Sequence, residues 1–246
     1  MASKKARTAE IARRMDMLWR TGEQPTRGPK PGLTIDRMAR RAVEIADKHG
    51  VGAVTMERVA KRLGVTTMAL YRYVRRKSEL LDLMVEAAMG PPPALANAAG
   101  WRAKLALWAR SNLALYERHP WLLNAAIAEP PFGPSQLAWF DAALDAVAEA
   151  RLSPAESIAV VSLVDDHARG SAQLLVAIAA RPDFPEWYGN AMARASADGR
   201  YPRIAALVAG GVLADPEGDI GDRFAFGLDR ILDGVERYLH TGRRHY

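Results

Sequence analysis

The densest group of side chains able to read another molecule is Thr66-Thr-Met-Ala-Leu-Tyr-Arg-Tyr-Val74. If this stretch is a helix that buries Leu70 and Val74, spaced i, i+4, then Thr67, Met68, Tyr71 and Arg72 lie off the buried face. Together they offer a hydroxyl, an apolar contact for a thymine methyl, and a guanidinium that fits guanine O6/N7 or a phosphate. Tyr73 and Lys77 follow where phosphate oxygens would be expected, and Arg75 and Arg76 add unspecific attraction. The same spacing also suits a plain helical hairpin with a solvated basic face.

A second group with chemical potential is Asp165-Asp166-His167, which interrupts an apolar run. It could serve acid–base chemistry, or bind a metal with the distant His119, but that spacing is not diagnostic. An Asp–Arg or Asp–His pair, for instance with Arg169, explains the cluster as well, because unpaired charge among apolar residues is costly. There is no nucleophile elbow, no glycine-rich phosphate loop and no paired zinc histidines, so no catalytic residue, metal ligand or cofactor is assigned. The chain has no cysteine, hence no disulfide and no thiolate chemistry. Four of the six tryptophans lie between Trp101 and Trp139. Trp108, Trp121 and Trp139, with neighbours such as Phe132 and Phe140, could line an apolar pocket or simply fill a core. Asn112, Asp166, His167 and Gln173 are the polar groups expected to face such a pocket.

The elements that would position these residues all read as helices, because no stretch alternates apolar and polar for long enough to make a sheet. Thr34 begins one, with Ile35, Met38, Ala42, Ile45 and Ala46 on its apolar face and Gly50 as its stop. Short helices at 55–63 and 66–74 flank Gly64, where the chain must turn, and a further helix spans 77–89. This order is a helix–turn–helix pattern. Pro91-Pro-Pro93 closes it, and longer helices are expected near 100–118, 121–128, 135–150, 153–180, 186–197, 202–209 and 219–240. The 153–180 start carries a capping box, Ser153-Pro-Ala-Glu156. Residues 1–33 read as a basic extension ending in a Pro/Gly linker, 34–88 as the helix–turn–helix domain and 94–246 as a larger helical domain.

Charge separates the two ends. Residues 1–78 hold 19 Lys and Arg against 7 Asp and Glu, a net +12; residues 79–246 hold 15 against 21, a net −6. One end therefore suits a polyanion, with nucleic acid ahead of a membrane surface, since residues 9–19 make only a weak basic amphipathic helix. The longest apolar stretch, near 170–180, is too short to span a bilayer, and no apolar segment follows the basic amino end. A cytoplasmic protein without membrane contact is expected.

Leu63-Gly-Val65, Leu70-Tyr-Arg-Tyr-Val74, Lys77-Ser-Glu-Leu-Leu-Asp82 and Ala42-Val-Glu-Ile-Ala-Asp-Lys-His-Gly-Val-Gly-Ala-Val-Thr55 resemble the amino-terminal signature of the tetracycline-repressor (TetR/AcrR) family. The resemblance covers residues 34–88. It implies an all-helical homodimer in which a three-helix bundle binds a palindromic operator and a larger domain binds a small molecule and dimerises. It puts base contacts at Met56, Thr67, Met68, Tyr71 and Arg72 and backbone contacts at Thr55, Tyr73 and Lys77, beside the helix-capping Thr66. A repressor released by a small molecule is the function it implies; the aromatic composition of the larger domain suggests an apolar or aromatic effector, and the absence of catalytic motifs argues against an enzyme. Helices near 153–180 (Val161, Val164, Ala168, Ala172) and 219–240 (Phe224, Leu228, Ile231, Leu232, Val235) are expected to pair with their symmetry copies. Lys4, Lys5, Arg7, Arg13, Arg14, Arg27 and Lys30 read either as an added phosphate or minor-groove arm or as a disordered solubilising tail.

Overall fold

Side-chain caps and glycine stops divide the chain into helices in this computed structural model, which describes residues 4–19, 33–125, 133–213 and 220–241. Among them, helices α1 (Lys4–Trp19), α2 (Ile35–His49), α3 (Met56–Leu63), α4 (Thr67–Tyr71), α5 (Lys77–Met89), α6 (Gly100–Arg118), α7 (Leu122–Ala125) and α8 (Pro134–Ala148) belong to one compact unit, Met1–Arg151. The second unit, Leu152–Tyr246, holds α9 (Pro154–Ala179), α10 (Phe184–Ala197), α11 (Pro202–Ala209) and α12 (Ile220–Thr241). These compact units divide near Arg151, and polar ties connect α5 with α8 across Pro91–Pro93 within the first of them. Ser135 N donates to Glu86 Oε2 at 2.8 Å, and the Trp139 indole donates to the Gly90 carbonyl at 3.2 Å.

The amino-terminal head closes on itself. Thr34, Thr55 and Thr66 each accept a backbone N–H three residues on, from Arg37, Arg58 and Ala69, capping α2, α3 and α4. Each such cap contributes about 1 kcal/mol. Between α3 and α4, Gly64 adopts φ 70° and ψ 31°. Its N–H reaches the Lys61 carbonyl while Val65 N–H reaches Ala60, the paired bonds of a Schellman turn. A left-handed conformation there costs a side-chain-bearing residue about 1–2 kcal/mol, so glycine suits the turn. Met38, Ala42, Val59, Ala60, Leu70, Val74 and Leu80 are buried, so α2, α3, α4 and α5 share one core.

In the second unit α12 runs antiparallel along α9. Tyr238 Oη donates to Glu156 Oε1 at 2.5 Å near one end, and His167 meets Phe224 near the other. Val161, Val164, Ala168, Ala172, Phe224, Leu228, Leu232 and Val235 are buried within this single chain. They form the seam between α9 and α12, so the apolar residues left outward are Ile158, Leu163, Leu174 and Phe226. A helix with apolar residues on two sides hides one side against its neighbour first. The capping box of α9 is formed: Ser153 Oγ accepts from Glu156 N, and Glu156 Oε2 accepts from Ser153 N at 2.6 Å.

The linker expected at 21–33 lies outside the described residues except for Leu33, as do Arg27, Lys30, Phe132 and the end of the helix expected at 121–128. The side chains of Lys4, Lys5 and Arg7 also lie outside them.

Candidate nucleic-acid interface

Helix α4 carries the outward side chains. It is shorter than its apolar spacing suggests, ending at Tyr71, with Arg72 as its C-cap; Tyr73 and Val74 still bond back to the Leu70 carbonyl at 2.9 and 3.1 Å. Leu70 and Val74 are fully buried, and this rotates Met68 (73% exposed), Tyr71 (44%) and Arg72 into solvent beside the half-buried Thr67. Thr55, Thr66, Arg75, Arg76 and Lys77 are exposed around them. A five-residue helix presenting a methionine and a tyrosine outward has no folding reason to do so. Apolar and aromatic side chains there suit base edges and sugar faces, and the surrounding cations suit phosphate.

Two residues of the expected set sit differently. Met56 is buried in the apolar stripe of α3, with Val59, Ala60 and Leu63, and does not face outward. Tyr73 is half-buried and its hydroxyl donates to the Leu33 carbonyl at 3.2 Å. A phosphate oxygen only accepts, and the single O–H of Tyr73 is already engaged.

Exposed cations also lie on α2 and α3, at Lys48, Arg58 and Arg62. His49, at the end of α2, is held below the usual histidine range by lost hydration and then by the cations Arg58, Lys48 and Arg62. Arg58 and Arg62 escape a reading confined to the second helix, although their i, i+4 spacing on α3 marks a common cationic face.

Residues that the sequence analysis missed lie beneath the surface. Glu79 is fully buried on α5 and accepts the Arg75 N–H at 2.7 Å and the Arg13 guanidinium. Burial works to raise the Glu79 carboxyl, but Arg13 and the Arg75 amide outweigh it and the group stays below its ordinary range. Asp82, one turn on, receives both arms of Arg14 at 2.7 Å, yet burial prevails and holds its carboxyl above the ordinary range. Glu79 has an extra backbone donor and the charge of Arg75 beside it, whereas Asp82 lacks such a donor and is pushed up further by the neighbouring Glu79 charge. A signal existed in the sequence: Arg13-Arg14 beside Ile11 and Leu18 marks a two-sided helix that wants an acidic neighbour.

The expected ligand-facing residues fall in both units. In the first, Trp108, Trp121 and Trp139 are buried, and each indole N–H is bonded: Trp108 to the Trp139 carbonyl at 2.9 Å, Trp121 to Asp47 Oδ1 at 2.7 Å, and Trp139 to Gly90. They act as packing ties. Asn112 is buried on α6 with one long bond, 3.4 Å, to the Trp108 carbonyl. In the second unit Asp166 and Gln173 are exposed, whereas the His167 ring stacks on Phe224 at 5.2 Å and its Nε2 meets the Phe224 carbonyl at 2.9 Å. A carbonyl only accepts, so Nε2 carries the proton. His167 is thus a helix-crossing residue, fitted against Gly227 so closely that an added Cβ would lie 2.4 Å from its ring. His119, for its part, bonds Asp47 Oδ1 at 2.8 Å.

Known proteins share this sequence pattern. Residues 40–84 match the family described as bacterial regulatory proteins, tetR family, and residues 92–239 match the tetracyclin repressor-like, C-terminal domain. The chain belongs to the tetR family. As a tetR-family member it is a helix–turn–helix transcriptional regulator. The family's head model begins within α2 and ends within α5, and so contains α4 with its outward side chains. The chain is similar to the HTH-type transcriptional repressor DrrR1 of Streptomyces coeruleorubidus, 41% identical over 239 residues, covering 93% of this chain and 87% of that protein. An HTH-type transcriptional regulator of Saccharopolyspora erythraea is 30% identical over 155 residues, 63% of this chain and 65% of its own length. Among solved structures, the TetR family protein ActR of Streptomyces coelicolor in complex with actinorhodin shares the fold, with a TM-score of 0.70 and 22% identity over 84% of this chain and 97% of its own.

Proposed function

We propose that this tetR-family regulator is a ligand-responsive repressor acting in the cytoplasm without enzymatic activity. Residues 34–88 are its DNA-binding part and residues 94–246 its sensing and dimerising part. Two copies bind a palindromic operator, each laying α4 in the major groove, with Thr67, Met68, Tyr71 and Arg72 at base edges and Thr55, Thr66 and Lys77 along the backbone. The observation that carries the reading is the exposure of Met68, Tyr71 and Arg72 on a short helix whose other face is buried. Its similarity to a protein named as a transcriptional repressor supports the direction of regulation.

The dimer forms through α9 and α12. Between them lies an open groove of about 350 Å³ lined by Ala159, Val160, Leu163, Ile231, Gly234 and Val235, beside the outward Ile158 and Phe226. A self-complementary apolar face of this kind suits a two-fold axis. The effector is an apolar or aromatic small molecule. Asn112 has the strongest claim among the expected polar contacts, because its buried amide makes only one long bond. A ligand releases DNA only if it binds the released arrangement more tightly than the DNA-bound one.

The test is selection of bound sequences from a random DNA pool across a salt series, followed by titration of actinorhodin as the first compound tried. Enrichment of a palindrome with two half-sites is the expected result. Unenriched DNA with a steep salt slope would withdraw the base-reading roles.

A further inference from the structure

The amino-terminal helix α1 lies along α5 in parallel. Glu10 meets Arg76 at 2.6 Å, Arg13 meets Glu79, Arg14 meets Asp82, and Leu18 and Trp19 reach the level of Leu83, Glu86 and Ala87. The pairs advance in step, 66, 66 and 68 residues apart in sequence, at helical spacing on both partners. Two observations separate this arrangement from a DNA arm. The Arg14 side chain is only 11% exposed and both its arms are engaged by Asp82, while Arg13 is directed at the fully buried Glu79. Furthermore, Glu79 does not only hold α1. Its Oε2 also accepts the N–H of Arg75, in the turn between α4 and α5 that is followed by Arg76 and Lys77.

We infer that α1 is a splint for the DNA-reading turn: Arg13, through Glu79, and Arg14, through Asp82, position residues 72–77 without touching DNA. The chain of causes is short. Without Arg13 the buried, ionised Glu79 would lose its guanidinium partner and keep only the Arg75 amide, which disfavours the arrangement. Glu79 then shifts toward water, which frees α1 and loosens the bond to the Arg75 amide. The turn then samples more conformations, and ordering it again on DNA lowers affinity. Arg13 and Arg14 are positioning residues, and neither is a phosphate contact.

This inference rests on the DNA-reading role proposed for α4, and two measurements keep the two apart. The first is affinity for the selected palindrome across a salt series, for the full chain carrying R13A, R14A or E79Q. The expected result is a loss of about tenfold with an unchanged salt slope. The second, made without DNA, is hydrogen exchange at the Arg75 amide, which should speed up in R13A. A slope reduced by about one per arginine would make α1 a phosphate-binding arm and overturn the inference. So would unchanged affinity, or unchanged exchange at Arg75. If R13A lowers the folded fraction, R13Q keeps the side-chain bulk and takes its place. If the wild-type chain selects no palindrome, the role of α4 fails, and Arg75 exchange alone decides the splint.

Discussion

The head formed by α2 to α5 and the hairpin formed by α10 and α11 are both short helices joined by tight turns, and they bury their side chains very differently. The head hides Leu70, Val74 and Leu80 completely. Neither α10 nor α11 has one buried residue, and Trp187 is 53% exposed while Tyr201, Leu207 and Val212 also face outward. Two helices cannot enclose a core; a third and fourth must close over the apolar faces. In the head α2 and α5 supply that cover. In the hairpin the aromatics meet one another and exposed arginines instead of a core: Phe184 lies 5.9 Å from Trp187 and 5.7 Å from Tyr188 between ring centres, and Arg181 lies over the Trp187 ring. A short helix is therefore informative when its buried face is accounted for, because only then does the outward face stand out.

The comparison breaks most sharply if the head's core is opened. Leu70→Ala removes a fully buried side chain and should cost about 2–5 kcal/mol in chemical unfolding. The equivalent truncation in the hairpin, Leu207→Ala, should change stability by less than about 0.5 kcal/mol. Equal effects would show that the two regions do not differ in this way. The second unit has its own tight point at Gly227. Placing a Cβ there forces the His167 ring away from the Phe224 carbonyl, so Gly227→Ala should cost about 1–3 kcal/mol, and His167→Ala in the same chain should recover part of it.

Function separates from stability at Arg72. Its replacement by alanine should leave thermal unfolding unchanged and weaken operator binding by about 1–3 kcal/mol, measured by fluorescence anisotropy on the selected palindrome. Lys77→Ala should instead weaken all DNA evenly and flatten the salt dependence. Selective loss for one operator would contradict that role.

The smallest expected effect is the acid limb of the stability curve. Glu79 has a folded carboxyl below its unfolded value, so its contribution is complete above the unfolded value and disappears as pH falls through the lower, folded one. Glu79→Gln should therefore lower stability near neutrality and converge with the wild type in acid. Parallel curves at all pH values would remove the charge of Glu79 from the explanation.

Much of the head was legible in the sequence because its signals are local. Thr34 and Thr66 cap the helices they precede, Gly64 makes the turn, and the i, i+4 pair Leu70 and Val74 sets which side of α4 faces out. The capping box at Ser153 was equally plain. What depends on distant partners was not. Val161, Val164, Ala168 and Ala172 read as a surface for a second copy, yet α12 of the same chain covers them. Asp166 and His167 read as one polar cluster; a helix turns about 100° per residue, and His167 alone meets α12.

Local chemistry by itself thus determined the helices, their caps, the turn at Gly64 and the outward direction of Met68, Tyr71 and Arg72, because each depends on residues within one or two turns. Only the tertiary structure decided that Arg13 and Arg14 face Glu79 and Asp82, that Met56 turns inward, and that the tryptophan indoles bond within the chain. A charged or aromatic side chain has the same character in sequence whether it meets solvent, DNA or a buried partner, and what it does is set by the element brought against it.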